Sequence, residues 1–253
     1  FLMTKLFISD LHLNPAKPEL TALACQFLQQ QADAVSEIYI LGDIFNTWLG
    51  DDLVPAEFSD FTDTLRSLTK AGINLYLMVG NRDFMLGKAF ADAVNATLIK
   101  DGFELDLAET PTLLSHGDSL CIDDVSYQRY RKVVNNRFLQ WCFLKLPARF
   151  RQKISDKIKQ QSQQKKQYKS SQIMDVNQAE VEKVMFESNV RLLIHGHTHR
   201  PAIHQVRLRN NQDAYRIVLG DWENKVSYLL VDDQQLTLHD HRLDNQQQTL
   251  RLR

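Results

Sequence analysis

The chain has 253 residues, 43% of them hydrophobic and 24% charged, with a formal net charge of −1. That allows one sizeable core, with a small second unit permitted by length, and it removes any whole-chain electrostatic case for nucleic acid. No apolar stretch approaches the ~20 residues of a spanning helix, and three cysteines without metal-type spacing suit a reduced, cytoplasmic protein rather than a disulfide framework.

Met3 is read as the native start, and the apolar run ending at Asp10 is too short for a secretory signal. Leu6–Ile8 predicts a buried strand that stops at Ser9-Asp10-Leu11-His12. Glu19–Gln31 carries Leu20, Leu23, Ala24, Phe27 and Leu28 at helical spacing. Ile38–Leu41 predicts a strand ending in Gly42-Asp43. Pro55–Lys70 predicts a helix that Gly72 stops. Leu75–Val79 predicts a strand ending in Gly80-Asn81-Arg82-Asp83, and Lys88–Val94 a short helix. Thr112–Ser115 runs into His116-Gly117-Asp118. Asn177–Ser188 reads as a helix, and Leu192–Ile194 as a strand ending in His195-Gly196-His197-Thr198-His199. After Pro201, the segments Ala202–Leu208, Tyr215–Leu219, Ser227–Val231 and Leu236–His241 read as consecutive short strands. Alternation first and β-rich sequence later predict an α/β fold in which two sheets pack together, flanked by helices.

One region differs in kind. Residues 129–169 hold thirteen Lys or Arg against a single acidic residue, Asp156, so that segment is about +12 and the remainder about −13. Leu139, Cys142 or Phe143, Leu146, Phe150, Ile154 and Ile158 fall at roughly helical spacing within it, with Trp141 and Leu144 added near the start. This predicts a basic amphipathic helical insertion, suited to a membrane surface or an anionic amphiphile. Its charges could instead be merely solvated.

Five segments thus put Asp, His or Asn where an apolar run stops, and in an open α/β sheet ligands sit outside the carboxyl ends of the strands. One rim could then gather a nitrogen and oxygen site for Mn, Fe, Zn or Mg. The expected grouping is Asp10, His12, Asp43 and His199 on one cation, and Asp43, Asn81, His116 and His197 on the other, with Asp43 as the bridge. Two cations so placed activate water and clamp both oxygens of a displacement at phosphorus. Asp83 and Asp118 are expected to orient Arg82 or His116. His195 is expected near the cations but not on them, and His204, His239 and His241 are expected to be structural.

The same five segments resemble the motif set of the calcineurin-like metallophosphoesterases in order and spacing, which implies a four-layer αββα sandwich with an inserted helical lid. In that superfamily a histidine that can donate a proton commonly follows the asparagine; here Arg82 does. Arginine stays protonated and cannot serve as general acid, but it can clamp phosphate. That favours a phosphate leaving group over an alkoxide, unless Arg82 only pairs with Asp83 or Asp118.

Longer stretches are similar to one branch, the UDP-2,3-diacylglucosamine pyrophosphohydrolases of lipid A synthesis. They include Leu41–Phe45, His116–Asp124, Ile173–Asn177 and His195–Pro201. The resemblance implies two Mn²⁺ ions and water attack at the α-phosphorus, giving UMP and 2,3-diacylglucosamine 1-phosphate. It implies a core of residues 3–122 and 173–243 and a lid of 123–172. It implies catalytic roles for Asp43, Asn81, Arg82 and His197, and substrate contacts at Asn81, Arg82, Asp124, Ser162, Lys166, Lys169 and His197. Trp141, Phe143, Leu144 and Phe150 would offer surface to acyl chains. It also implies a protein peripheral on the cytoplasmic face of the inner membrane. The sequence leaves the oligomeric state open, a monomer being the expectation, and its charge and few interleaved aromatics argue against a nucleic-acid partner. A soluble nucleotide phosphoesterase or a nuclease is the alternative.

Overall fold

A computed structural model describes residues 4–166 and 174–252. The elements run β1 (Lys5–Ile8), α1 (Pro18–Gln31), β2 (Glu37–Leu41), α2 (Ser59–Lys70), β3 (Asn74–Met78), α3 (Lys88–Ala93), β4 (Thr97–Ile99), β5 (Phe103–Leu107) and β6 (Thr110–Ser115). They continue with α4 (Val125–Val134), α5 (Arg137–Leu144), α6 (Ala148–Lys166), α7 (Gln178–Glu187), β7 (Leu192–His195), β8 (Ala202–Arg207), β9 (Asp213–Val218), β10 (Tyr228–Val231), β11 (Gln235–His239) and β12 (Gln247–Arg251).

Strand side chains alternate faces, and here the alternation sorts them into separate cores. Leu6, Ile8, Ile38, Ile40, Leu75 and Leu77 face a cluster shared with Leu20, Phe27, Phe61 and Leu65 of α1 and α2. Phe7, Tyr39, Leu41 and Met78 face the other way and meet Leu114, Leu192, Ile194 and Ile217. Leu113 and Leu193 pack on Val181 and Met185 of α7. Helix, sheet, sheet and helix therefore stack in four layers, as expected. One sheet has seven strands in the order β12-β11-β10-β1-β2-β3-β4, and the other five in the order β5-β6-β7-β9-β8. β1 to β4 are mutually parallel, and so are β6, β7 and β9. Each sheet thus sends a row of carboxyl ends to one rim.

β4, β5 and β12 fall where no strand was expected, and β12 extends the seven-stranded sheet past residue 243. The basic segment is three helices rather than one continuous run. Asn136 accepts from the amides of Phe138 and Leu139 to begin α5. The Pro147 carbonyl accepts from the amides of Phe150 and Arg151 as α6 begins. Proline at a helix start is tolerated, since its missing N–H would lack a partner there.

Two arginines tie these helices to the core. Arg151 donates to both oxygens of Asp52 at 2.7 and 2.8 Å and to the carbonyls of Leu49, Leu144 and Leu146. Those bonds use its whole fork of five donors. Arg131 of α4 donates to Asp118 at 2.8 Å and Asp101 at 3.1 Å. Among the described residues, no helix is long and apolar enough to cross a membrane.

Candidate metal centre

Side chains from both sheets converge at the rim. Asp10 and His12 follow β1, Asp43 follows β2, and Asn81 and Arg82 follow β3. His116 follows β6, and His197 and His199 follow β7. Asp10 binds the two halves together, accepting from its neighbour Ser9 at 2.6 Å and from the His197 amide at 2.9 Å.

The seven expected ligand residues form two overlapping groups. In the first, His12 Nε2 lies 3.6 Å from Asp10 Oδ1 and 3.3 Å from Asp43 Oδ2, while His199 Nε2 lies 3.3 Å from Asp10 Oδ1. In the second, His116 Nε2 lies 3.7 Å from Asp43 Oδ1 and 3.0 Å from Asn81 Oδ1, which also meets His197 Nδ1 at 2.8 Å. Asp43 touches both groups, one oxygen to each. His116 Nδ1 sits 2.9 Å from the Leu41 carbonyl. An N–H donated there leaves Nε2 as a lone pair aimed at the centre.

The backbone is bent to achieve this. Asp10, His12, Asp43, His197 and His199 all have left-handed φ, between 51° and 68°. Such φ values are uncommon outside glycine, and their clustering at one place is typical of functional sites. Approach is close as well. A Cβ on Gly80 would strike the Asp43 carboxylate, and one on Gly196 would strike Asp10 and Ser9.

Electrostatics describe a cradle for cations. Burial works against ionising Asp10 and Asp43, yet the surrounding imidazoles hold both carboxyls below their usual range. Burial likewise opposes a proton on His12 or His116, but facing carboxylates lift each to about 9. Protons therefore gather where a divalent ion would sit, and the two compete. Carboxylates, imidazoles and one amide oxygen are a donor set suited to borderline divalent ions. The residues present fit a two-metal site.

Asp83 and Asp118 do not orient Arg82 or His116 through direct hydrogen bonds. Buried Asp83 instead accepts from the amides of Asp43, Ile44, Phe45 and Gly80, fixing the β2 and β3 loops against each other. Burial and the Asp43 charge push its carboxyl up to about 6. Asp118 accepts from Tyr127 Oη and Arg131. Arg82 pairs with neither. Its Nε lies 3.6 Å from Asp43 Oδ2, and its Nη1 donates to Asn46 Oδ1. His195 is buried, with Nδ1 2.8 Å from the Gly196 carbonyl and Nε2 3.1 Å from Arg216 Nη1.

Asn81, Arg82 and His197 line one cavity with Asp124, the N-cap of α4, and with Ser162 of α6. Lys166 ends α6, its side chain outside the description, and Lys169 lies outside the described residues. Phe143 lines the cavity, whereas Trp141, Leu144 and Phe150 do not. Their places are taken by Val133, Val134, Leu139, Ile154 and Ile158. Helical spacing named a face of the insertion, but not which face turns inward. Sequence reasoning also missed Asn46 and Asp221. Asp221 had a readable signal, since Gly220-Asp221 repeats the pattern of Gly42-Asp43 just past a strand end.

Comparison with known proteins agrees with this geometry. A signature described as calcineurin-like phosphoesterase matches residues 3–201. A Tolumonas auensis protein named UDP-2,3-diacylglucosamine hydrolase is 46% identical over 236 residues, covering 93% of this chain and 96% of its own. A Haemophilus influenzae protein of the same name is 46% identical over 229 residues, covering 90% and 94%. Another from Photobacterium profundum is 44% identical over 228 residues, covering 90% and 93%. The chain therefore belongs to the calcineurin-like phosphoesterases, in the UDP-2,3-diacylglucosamine hydrolase family.

Proposed function

We propose that the protein hydrolyses the pyrophosphate bond of UDP-2,3-diacylglucosamine at the α-phosphorus, giving UMP and 2,3-diacylglucosamine 1-phosphate, with two Mn²⁺ ions. The observation that carries this reading is one continuous cavity of about 690 Å³. Asn81, Arg82, His197 and His199 of the rim line it, together with apolar residues of α4, α5 and α6 such as Val133, Phe143 and Ile158. A molecule that carries both a phosphate and a hydrocarbon tail would match both kinds of lining. Asp10, His12, Asp43 and His199 would hold one ion, and Asp43, Asn81, His116 and His197 the other. Bound there, the ions supply an activated water and charge stabilisation at phosphorus. Arg82 binds the diphosphate, and its permanent charge suits a phosphate that leaves without a proton. Asp124, Ser162, Lys166 and Lys169 are proposed to contact the substrate from the insertion side, which acts as a lid. The test is UMP release from UDP-2,3-diacylglucosamine after chelation and Mn²⁺ return. Faster turnover of dinucleoside polyphosphates or cyclic nucleotides would sink the proposal.

The insertion also supports a peripheral position on an anionic membrane, proposed as the cytoplasmic face of the inner membrane. Phe138 and Trp141 are 68% and 56% exposed. Their rings stack 6.1 Å apart, with Lys145 5.6 Å over Trp141. Exposed aromatics beside a cation, on a segment rich in Lys and Arg, are the chemistry of an interfacial anchor. A Phe138→Ser, Trp141→Ser double variant is expected to co-sediment several-fold less with phosphatidylglycerol vesicles, while hydrolysis of detergent-dispersed substrate stays near wild type. Equal sedimentation of both proteins would remove the anchor.

A further inference from the structure

A second charged cluster backs onto the centre from the β9 side. Asp221 lies three residues beyond β9 and is buried. Its Oδ2 is 3.5 Å from His199 Nδ1, on the side of the ring away from Asp10. Its Oδ1 accepts from Arg242 Nη1 at 2.6 Å, and its carbonyl accepts from Arg242 Nη2 at 3.2 Å. Arg242 is itself clamped by both oxygens of buried Asp240, at 2.8 and 2.7 Å. The next residue in the turn, Trp222, donates its amide to the Asp10 carbonyl at 3.1 Å. One short turn therefore touches both Asp10 and His199, two members of the same ligand group. The turn leaves no spare room, since a Cβ on Gly220 would strike Arg242 and Asp240.

We infer that Asp221 is a positioning residue for His199, held in place by Arg242 and Asp240. The inference rests on the two-cation reading. A neutral imidazole carries one N–H. Both ring nitrogens face carboxylates, Nε2 toward Asp10 Oδ1 at 3.3 Å and Nδ1 toward Asp221 Oδ2 at 3.5 Å. A cation bound on the Asp10 side would take the Nε2 lone pair, and Asp221 would then hold the proton on Nδ1. Arg242 occupies Oδ1 and so leaves Oδ2 to face the ring. Partners that fix a ligating histidine in this way commonly change metal affinity 10–100-fold when lost.

The test is calorimetric titration of the metal-free protein with Mn²⁺, which reads binding rather than turnover. Wild type is expected to take up two ions. Asp221→Asn should weaken one of them by about 10–100-fold and leave the other unchanged. Arg242→Lys keeps the charge but loses the fork, and should weaken the same ion less. A double-mutant cycle separates positioning from general destabilisation. In a His199→Gln background, Asp221→Asn should have no further effect on Mn²⁺ affinity. Unchanged affinity in Asp221→Asn, or an equal loss with and without His199, would overturn the inference. Failure of wild type to bind two ions would overturn the two-cation reading and this inference with it. Circular dichroism and thermal unfolding of the metal-free variants check that each is folded.

Discussion

Replacing Asp43 with alanine is expected to remove metal-dependent turnover, by at least ~10³-fold. The reasoning starts from its position between the two ligand groups, with Oδ2 3.3 Å from His12 Nε2 and Oδ1 3.7 Å from His116 Nε2. Asp10 also lies within ligand distance of both His12 and His116, but Asp43 presents a separate oxygen to each. Without it neither group keeps its full set of donors, and the negative charge that draws cations to the rim falls. Cations of this kind contribute several kcal/mol of charge stabilisation at phosphorus, and about 4 kcal/mol corresponds to about 10³-fold in rate. Metal analysis of the purified variant should show at least one ion missing. Full activity with two ions retained would refute the bridging role.

Arg82→Ala is expected to lower kcat on the pyrophosphate substrate by ~10²–10³-fold, the range seen when one charge-stabilising donor is lost from an active site. Metal content should stay near wild type, for a structural reason. The Arg82 amide, not its side chain, donates to Asp43 Oδ1 at 2.8 Å, and alanine keeps that bond. The guanidinium is partly exposed and lines the cavity. Arg82→Lys should recover only part of the rate, because an ammonium supplies the charge without the planar two-pronged fork. Parallel loss of metal and rate would make Arg82 a structural residue instead.

The parallel strands were the legible part of this fold. β1, β2, β3 and β7 are buried on both faces, so each reads as an unbroken apolar run with a polar stop. That made the rim visible as well, because the stop is the ligand-bearing loop. Three of the four edge strands, β4, β5 and β12, were not read, although the fourth, β8, was. β4 is only three residues long and β12 is mostly polar, whereas β5 carried a readable signal, the strict alternation of Phe103-Glu104-Leu105-Asp106-Leu107. In the insertion, charge bias and periodicity revealed helices but not the breaks at Asn135–Asn136 and Pro147. They also did not reveal which apolar residues turn toward the cavity, since that depends on tertiary ties such as Arg151 to Asp52. Arg82 was legible as a chemical departure but not in its partner. Asn46 lies 36 residues away in sequence, and no local pattern connects the two.

The left-handed backbone at Asp10, His12, Asp43, His197 and His199 sets stability and activity against each other. Each such residue costs of order 1 kcal/mol relative to glycine, which adopts that conformation freely. Glycine would relieve the backbone at each of the five while deleting a donor, and at Asp10 and Asp43 it would also remove the buried bonds from Ser9, His197 and Arg82. A search for hardier variants judged by melting temperature alone would thus be drawn toward the very positions where the chemistry resides.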